Sequence, residues 1–173
     1  MPDHPVRKTV RLRGHDYASP GAYFVTVCTY DRIGLLGSVQ EDQVVLSPEG
    51  EIVRAVWQDL PRHFPGIDLD AFVVMPNHVH GILILHGRGT ACRAPTVAFG
   101  QPVPGSIATI VRSFKAAATR GVNLLRGTPG APVWQRGYYE HIIRSSGELD
   151  RLRAYIETNP LRWALDRENP RNM

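Results

Sequence analysis

Met75-Pro76-Asn77-His78-Val79-His80 sets two imidazoles one residue apart in a segment whose neighbours have the composition of a buried β-strand. Positions i and i+2 of a strand share a face, so His78 and His80 project side by side. Two neutral histidines held that way form half of a divalent-metal site, which a third ligand from elsewhere in the chain would complete. Further on, Arg151, Tyr155 and Asn159 are spaced by four along a helix predicted from Glu148 to Thr158 and share one of its faces. A phenol with an ordinary pKa of about 10 is a poor nucleophile at neutral pH. A metal-polarised phosphodiester, however, needs only one well-aimed oxygen, which Tyr155 can offer. The amide oxygen of Asn159 is the candidate third ligand, and imidazole combined with hard oxygen suits Mg²⁺ or Mn²⁺ without excluding zinc.

On spacing alone each residue also has a plainer role. A His-x-His on a strand is often structural, a helical tyrosine is most often packing, and an asparagine before proline commonly ends a helix. His86 continues the alternation of His78 and His80 but lies about 20 Å further along the strand, too far to join them. Trp134, Tyr138 and Tyr139 are either core aromatics or platforms for extruded bases. Glu140 and His141 form a dyad that either lies near the site or caps the sheet.

The elements that must position these groups follow from local pattern. Ala22 to Tyr30 is rich in β-branched and aromatic residues and reads as a strand. Ser47-Pro48-Glu49-Gly50-Glu51 opens a helix with an N-cap residue, a first-turn proline and early acids, and its apolar spacing runs to about Phe64. Asp70 to Met75 and His78 to Leu85 are two more strand-like runs, with Pro76-Asn77 as a turn, a bulge or an interruption. Residues 87–105 have no periodicity and the composition of a mobile loop. Ser106 then caps a helix with Ile107, Val111, Phe114 and Ala118 as its apolar stripe and Arg112, Lys115 and Arg120 off it. Val133 to Arg144 is extended, and the helix from Glu148 ends before Pro160. This order, β-α-β-β-α-β-α, predicts an α+β fold: a ferredoxin-like, RRM-like antiparallel sheet with helices on one face.

Composition limits what the site can belong to. At 173 residues and 43% hydrophobic content the chain is most simply one domain, residues 1–173. No apolar run reaches the roughly 18 residues a membrane span needs, and Met1 to Arg13 lacks the apolar centre of a signal peptide, so the expectation is a cytoplasmic protein. Cys28 and Cys92 are too few and too far apart for a disulfide framework. The net charge is +4, and Lys8 and Lys115 are the sole lysines among twenty basic residues. Arginine binds phosphate bidentately and stacks on bases, so the bias fits a polyanionic partner. Neither a P-loop nor a dinucleotide-binding glycine fingerprint occurs.

Four segments together resemble the REP-associated tyrosine transposases, single-tyrosine HUH enzymes akin to the insertion-sequence-200 transposases. They are Val74-Met75-Pro76-Asn77-His78-Val79-His80-Gly81-Ile82, Val133-Trp134-Gln135-Arg136-Gly137-Tyr138-Tyr139-Glu140-His141 with Ile143-Arg144, Ala154-Tyr155-Ile156-Glu157-Thr158-Asn159-Pro160, and the opening Arg11 to Tyr17 with Gly21 to Thr26. The resemblance implies the HUH endonuclease fold and cleavage of single-stranded DNA beside hairpins formed by short extragenic palindromes, with rejoining through a covalent 5′-phosphotyrosine. It implies Tyr155 as nucleophile and His78, His80 and Asn159 as ligands of Mg²⁺ or Mn²⁺. Arg112, Lys115, Arg120, Arg136, Arg144 and Arg151 are the candidate DNA contacts, and the protein is expected to act as a monomer or a homodimer. The rival reading is a domesticated, inactive module that binds structured nucleic acid on the same fold.

Overall fold

The computed structural model describes residues 19–86, 103–166 and Asn169. Strand β1 (Gly21–Cys28) is followed by a hairpin of β2 (Gly37–Gln40) and β3 (Gln43–Leu46), then by helices α1 (Pro48–Gln58) and α2 (Leu60–His63). Strands β4 (Ile67–Met75) and β5 (His78–Leu85), helix α3 (Ile107–Arg126), β6 (Tyr139–Ile143) and α4 (Ser146–Glu157) complete the order, and a 3-10 turn over Pro160–Leu165 follows. The main sheet runs β4-β5-β1-β6, antiparallel throughout.

Alternation along the strands divides the sheet into two unequal faces. Tyr23, Val25 and Val27 of β1, with Val79 and Leu83 of β5, enter the larger core, where they meet Val53 and Trp57 of α1 and Ile107, Ile110, Phe114 and Ala118 of α3. Phe24 and Ile82 point the other way and are covered by Ile156, Leu149 and Leu152 of α4. The expected antiparallel sheet with helices on one face therefore holds for α1 and α3, while α4 lies against the opposite face, the one that carries both histidines.

Local chemistry explains most boundaries. Ser47 Oγ accepts from Gly50 N at 3.1 Å and starts α1, as expected. The predicted continuation to Phe64 breaks at Asp59, because Pro61 has no amide to donate and its ring crowds the preceding turn. Ser106 and Ser145 cap α3 and α4 in the same way. Pro76-Asn77 proves to be the two-residue turn of the β4–β5 hairpin, where Met75 pairs with His78. The β2–β3 hairpin was not expected: Glu41 and Asp42 adopt φ of 47° and 60° without the Asn-Gly signal that usually announces such a turn. Between Val133 and Arg144 the strand begins only at Tyr139, while Trp134 makes an isolated bridge to Thr29. Of the loop expected at 87–105, residues 87–102 lie outside the described residues.

Gly81 is required by packing. It lies on the large-core face of β5, where a Cβ would overlap the Trp57 ring that stacks on Phe72 at 4.6 Å. The glycine that closes the His-x-His-Gly segment thus seats the helix behind the histidine strand.

Candidate active site

His78 and His80 sit on the α4 face of β5 at 0% and 3% exposure, with their Nε2 atoms 3.0 Å apart. Their second ring nitrogens are fixed from the sheet. Asn77 donates through Nδ2 to Arg32 O at 3.1 Å, so its Oδ1 is left to accept, and it takes the Nδ1 proton of His78 at 2.9 Å. His78 therefore carries a lone pair at Nε2. Thr26, directly across the ladder from His80, places Oγ1 2.8 Å from His80 Nδ1. A hydroxyl can donate or accept, so His80 can present either a proton or a lone pair at Nε2. With the proton it donates to His78. With the lone pair both nitrogens face one point, which is the arrangement a divalent cation accepts.

Burial keeps both rings neutral. It lowers each pKa to about 3, with the Arg32 charge adding to the effect at His78 and His78 adding to it at His80; Asp166 opposes at His80. Neutral imidazole is the form that binds metal.

α4 brings the remaining groups. Its apolar face docks on Phe24 and Ile82, and Arg153 fastens it to Asp70, so Tyr155 leans over the histidines with Oη 3.3 Å from His80 Nε2. Tyr155 is 36% exposed and meets Phe24 edge-on at 6.1 Å, and Phe24 in turn stacks on His80 at 5.3 Å. Asn159, where α4 gives way to the final 3-10 turn, is 1% exposed, and its Oδ1 is buried with no hydrogen-bond partner. A buried amide oxygen without a donor costs on the order of 1–3 kcal/mol, which a cation would recover. At the end of that turn Asp166 brings a carboxylate oxygen within 4.8 Å of the histidine nitrogens. His78, His80 and Asp166 could hold a metal ion. The donor set, two imidazoles with an amide and a carboxylate oxygen, matches the hard-ion preference.

The sequence reading missed Asp166, which carries no local signal and reaches the site because the chain turns back after Pro160. It also missed Thr26 and Arg162. Asn77 belongs to the His-x-His segment itself, and its place beside the pair could have marked it.

These groups open onto a cleft of about 1050 Å³ bordered by His80, Tyr155, Asn159, Asp166, Tyr139, Arg136 and Arg162. Of the expected DNA contacts, Arg136 lines this cleft, whereas Arg144 and Arg151 are exposed beyond its lining. Arg112, Lys115 and Arg120 lie on α3, across the sheet from the histidines. Lys115 is spent internally: Nζ donates to Gln135 O at 2.7 Å and Gly137 O at 2.9 Å, holding the turn that carries Arg136. His86 pairs with Asp68 at 2.7 Å on the surface, away from the site as expected. His141 reaches Glu148 at 2.7 Å, and Glu140 is buried and accepts from Tyr138 Oη at 2.8 Å.

No protein-family model matches the chain. A protein of Haemophilus influenzae, described as uncharacterized, is 36% identical over 166 residues, covering 92% of this chain and 91% of that one. The two belong to one family. Among solved structures, the REP-associated tyrosine transposase bound to a REP hairpin matches with a TM-score of 0.60 at 22% identity, over 89% of this chain and 74% of that one. The chain has the REP-associated tyrosine transposase fold. The fold resemblance drawn from the four segments therefore holds. Among the described residues, no helix is long and apolar enough to cross a membrane.

Proposed function

We propose that this protein is a metal-dependent nuclease and strand transferase that cuts single-stranded DNA beside hairpin elements of the REP type, with Tyr155 as nucleophile. The observation that carries the reading is the approach of Tyr155 Oη to within 3.3 Å of His80 Nε2, at a pair of neutral imidazoles beside the partnerless Asn159 oxygen. A purely structural histidine pair needs neither that hydroxyl nor that unsatisfied amide. The shared fold with a transposase seen on a REP hairpin supports the choice of substrate.

His78, His80 and Asn159 would hold Mg²⁺ or Mn²⁺, with Asp166 as a further donor. When bound, the ion neutralises charge on the scissile phosphate and orients phosphorus for in-line attack. Tyr155 does the bond-making. Its Oη–P bond forms as the P–O3′ bond breaks, the phenolic proton leaves to solvent through the open cleft, and the departing 3′ oxygen takes up a proton. The resulting 5′-phosphotyrosine conserves the energy of the cleaved bond, so attack by a second 3′-hydroxyl reverses the step and joins strands. Phe24 and the apolar side of α4 keep the phenol at a fixed angle to the phosphate position. The approach of Tyr155 to His80 of the same chain supports a site closed in cis, whether the protein acts as a monomer or a homodimer. The arginines of the cleft, with Arg144 and Arg151 outside it, supply phosphate contacts, and Arg112 and Arg120 of α3 face any duplex that wraps behind the sheet, whereas Lys115 is held by Gln135 O and Gly137 O.

The test is direct. Purified protein, Mn²⁺ and a hairpin with a single-stranded flank should yield a denaturant-resistant protein–DNA adduct that Tyr155→Phe abolishes while still binding the hairpin. Hairpin binding by the wild type with no adduct in Mn²⁺ or Mg²⁺ would favour the inactive binding module instead.

A further inference from the structure

The sequence offers three aromatics near β6, and the fold separates them. Trp134 is 7% exposed in the large core, and Tyr138 packs against the same core with its hydroxyl on Glu140. Tyr138 borders the cleft only half-buried, whereas Tyr139 is the exposed one of the three at the cleft, at 45%. Its position is set by register: His80, Thr26 and Tyr139 are directly opposite one another on β5, β1 and β6, so they form one row across the sheet. Two inter-strand spacings put the tyrosine about 10 Å from the histidine. The ring lies 6.4 Å from Phe24 at an interplanar angle of 70°, so it is not stacked face to face on Phe24. Arg136 and Arg162 lie along the same opening.

We infer that Tyr139 is the stacking platform for an unpaired base next to the scissile phosphate, with Arg136 and Arg162 on the adjoining phosphates. This rests on the reading of the cleft as a single-stranded DNA site. An exposed aromatic flanked by cations fits a nucleotide, because the π-face takes any base while the guanidinium groups take the backbone. The row also makes the platform a specificity device. A paired base cannot turn its face to a side chain that stands on a sheet, so only a strand unpaired at the cut places its phosphate over His78 and His80.

The experiment uses the full chain carrying Tyr155→Phe, so that binding is read without cleavage, and labelled hairpins with a single-stranded flank. Tyr139→Ala should weaken binding about tenfold, the loss expected of one base–aromatic stack, and Tyr139→Phe should bind within about twofold of the parent. An abasic substitution at one of the two nucleotides flanking the cut should weaken the parent similarly and cost the Tyr139→Ala protein nothing further. Unchanged binding by Tyr139→Ala, or additive losses from the protein and DNA changes at both flanking positions, would overturn the platform. Adduct formation by the otherwise wild-type chain is measured in parallel. Adduct without Tyr139–base coupling sinks the platform and leaves the nuclease, whereas coupling without adduct sinks the nuclease and leaves the platform.

Discussion

Arg153 of α4 grips Asp70 of β4 with two hydrogen bonds, Nε to Oδ1 at 2.9 Å and Nη2 to Oδ2 at 2.7 Å. Asp70 sits in the register shift between Leu69 and Phe72, where the bulge turns its carboxylate to the α4 side, and its Oδ1 also accepts from Ala71 N. The Arg153 hydrogen bonds are the main cause that holds the Asp70 carboxyl below its usual pKa. This clamp fixes the angle at which α4 carries Tyr155. Arg153→Lys keeps the charge but loses the planar fork. We expect it to slow adduct formation roughly tenfold in single turnover with hairpin affinity nearly unchanged, since ångström-scale misplacement of a reacting group is costly. An unaltered rate would mean that the apolar face of α4 positions Tyr155 unaided.

Asn77 fixes the ring orientation of His78 through Nδ1 and so leaves Nε2 bare. Asn77→Ala should weaken Mn²⁺ binding by about 10- to 100-fold, the usual cost of removing a group that orients a metal-bound histidine. Titration calorimetry reads this without DNA. Thr26→Val should act in the same direction at His80.

The buried histidines also set an acid limit. Both are lowered to about 3 when folded and return to about 6.5 when unfolded, so between these values the unfolded chain binds more protons. Stability from this source is complete above about pH 6.5 and falls toward pH 3, by at most about 1.4 kcal/mol per group per pH unit. Thermal midpoints should therefore drop between pH 7.5 and 5, while Mn²⁺ should raise the midpoint by a similar amount at both, because the folded rings stay neutral down to about pH 3. A flat profile across this range would show that the rings are not held neutral by burial.

Gly81→Ala tests the packing behind the site. The new methyl meets the Trp57 ring, and overfilling a close-packed core typically costs about 1–3 kcal/mol. Denaturant midpoints should fall accordingly. If overlap with the Trp57 ring is the cause, Gly81→Ala should cost less in a Trp57→Phe background, whereas unchanged midpoints in the native background would mean that the Trp57–Phe72 stack moves to absorb the methyl.

Much of this was legible in the chain because it depends on nearest neighbours. Alternation put His78 and His80 on one face of one strand, serine caps and apolar spacing marked α1, α3 and α4, and a repeat of four aligned Tyr155 with Asn159. The β2–β3 hairpin escaped because its turn uses Glu41 and Asp42 at positive φ, residues with no strong local preference for it. The break at Asp59 could have been read from Pro61.

Local pattern thus determined the candidate site groups: two imidazoles, a phenol and an amide, each on an element of predictable type. Only the tertiary structure decided which of them meet. That α4 crosses the face opposite α1 and α3, that Asp166 returns beside the histidines, that Lys115 supports a turn and that Tyr139 is exposed at the cleft while Tyr138 is half-buried and Trp134 is core all depend on which face of the sheet buries more apolar surface and on where the chain reverses. Those are contacts between residues far apart in sequence, which spacing along the chain does not encode.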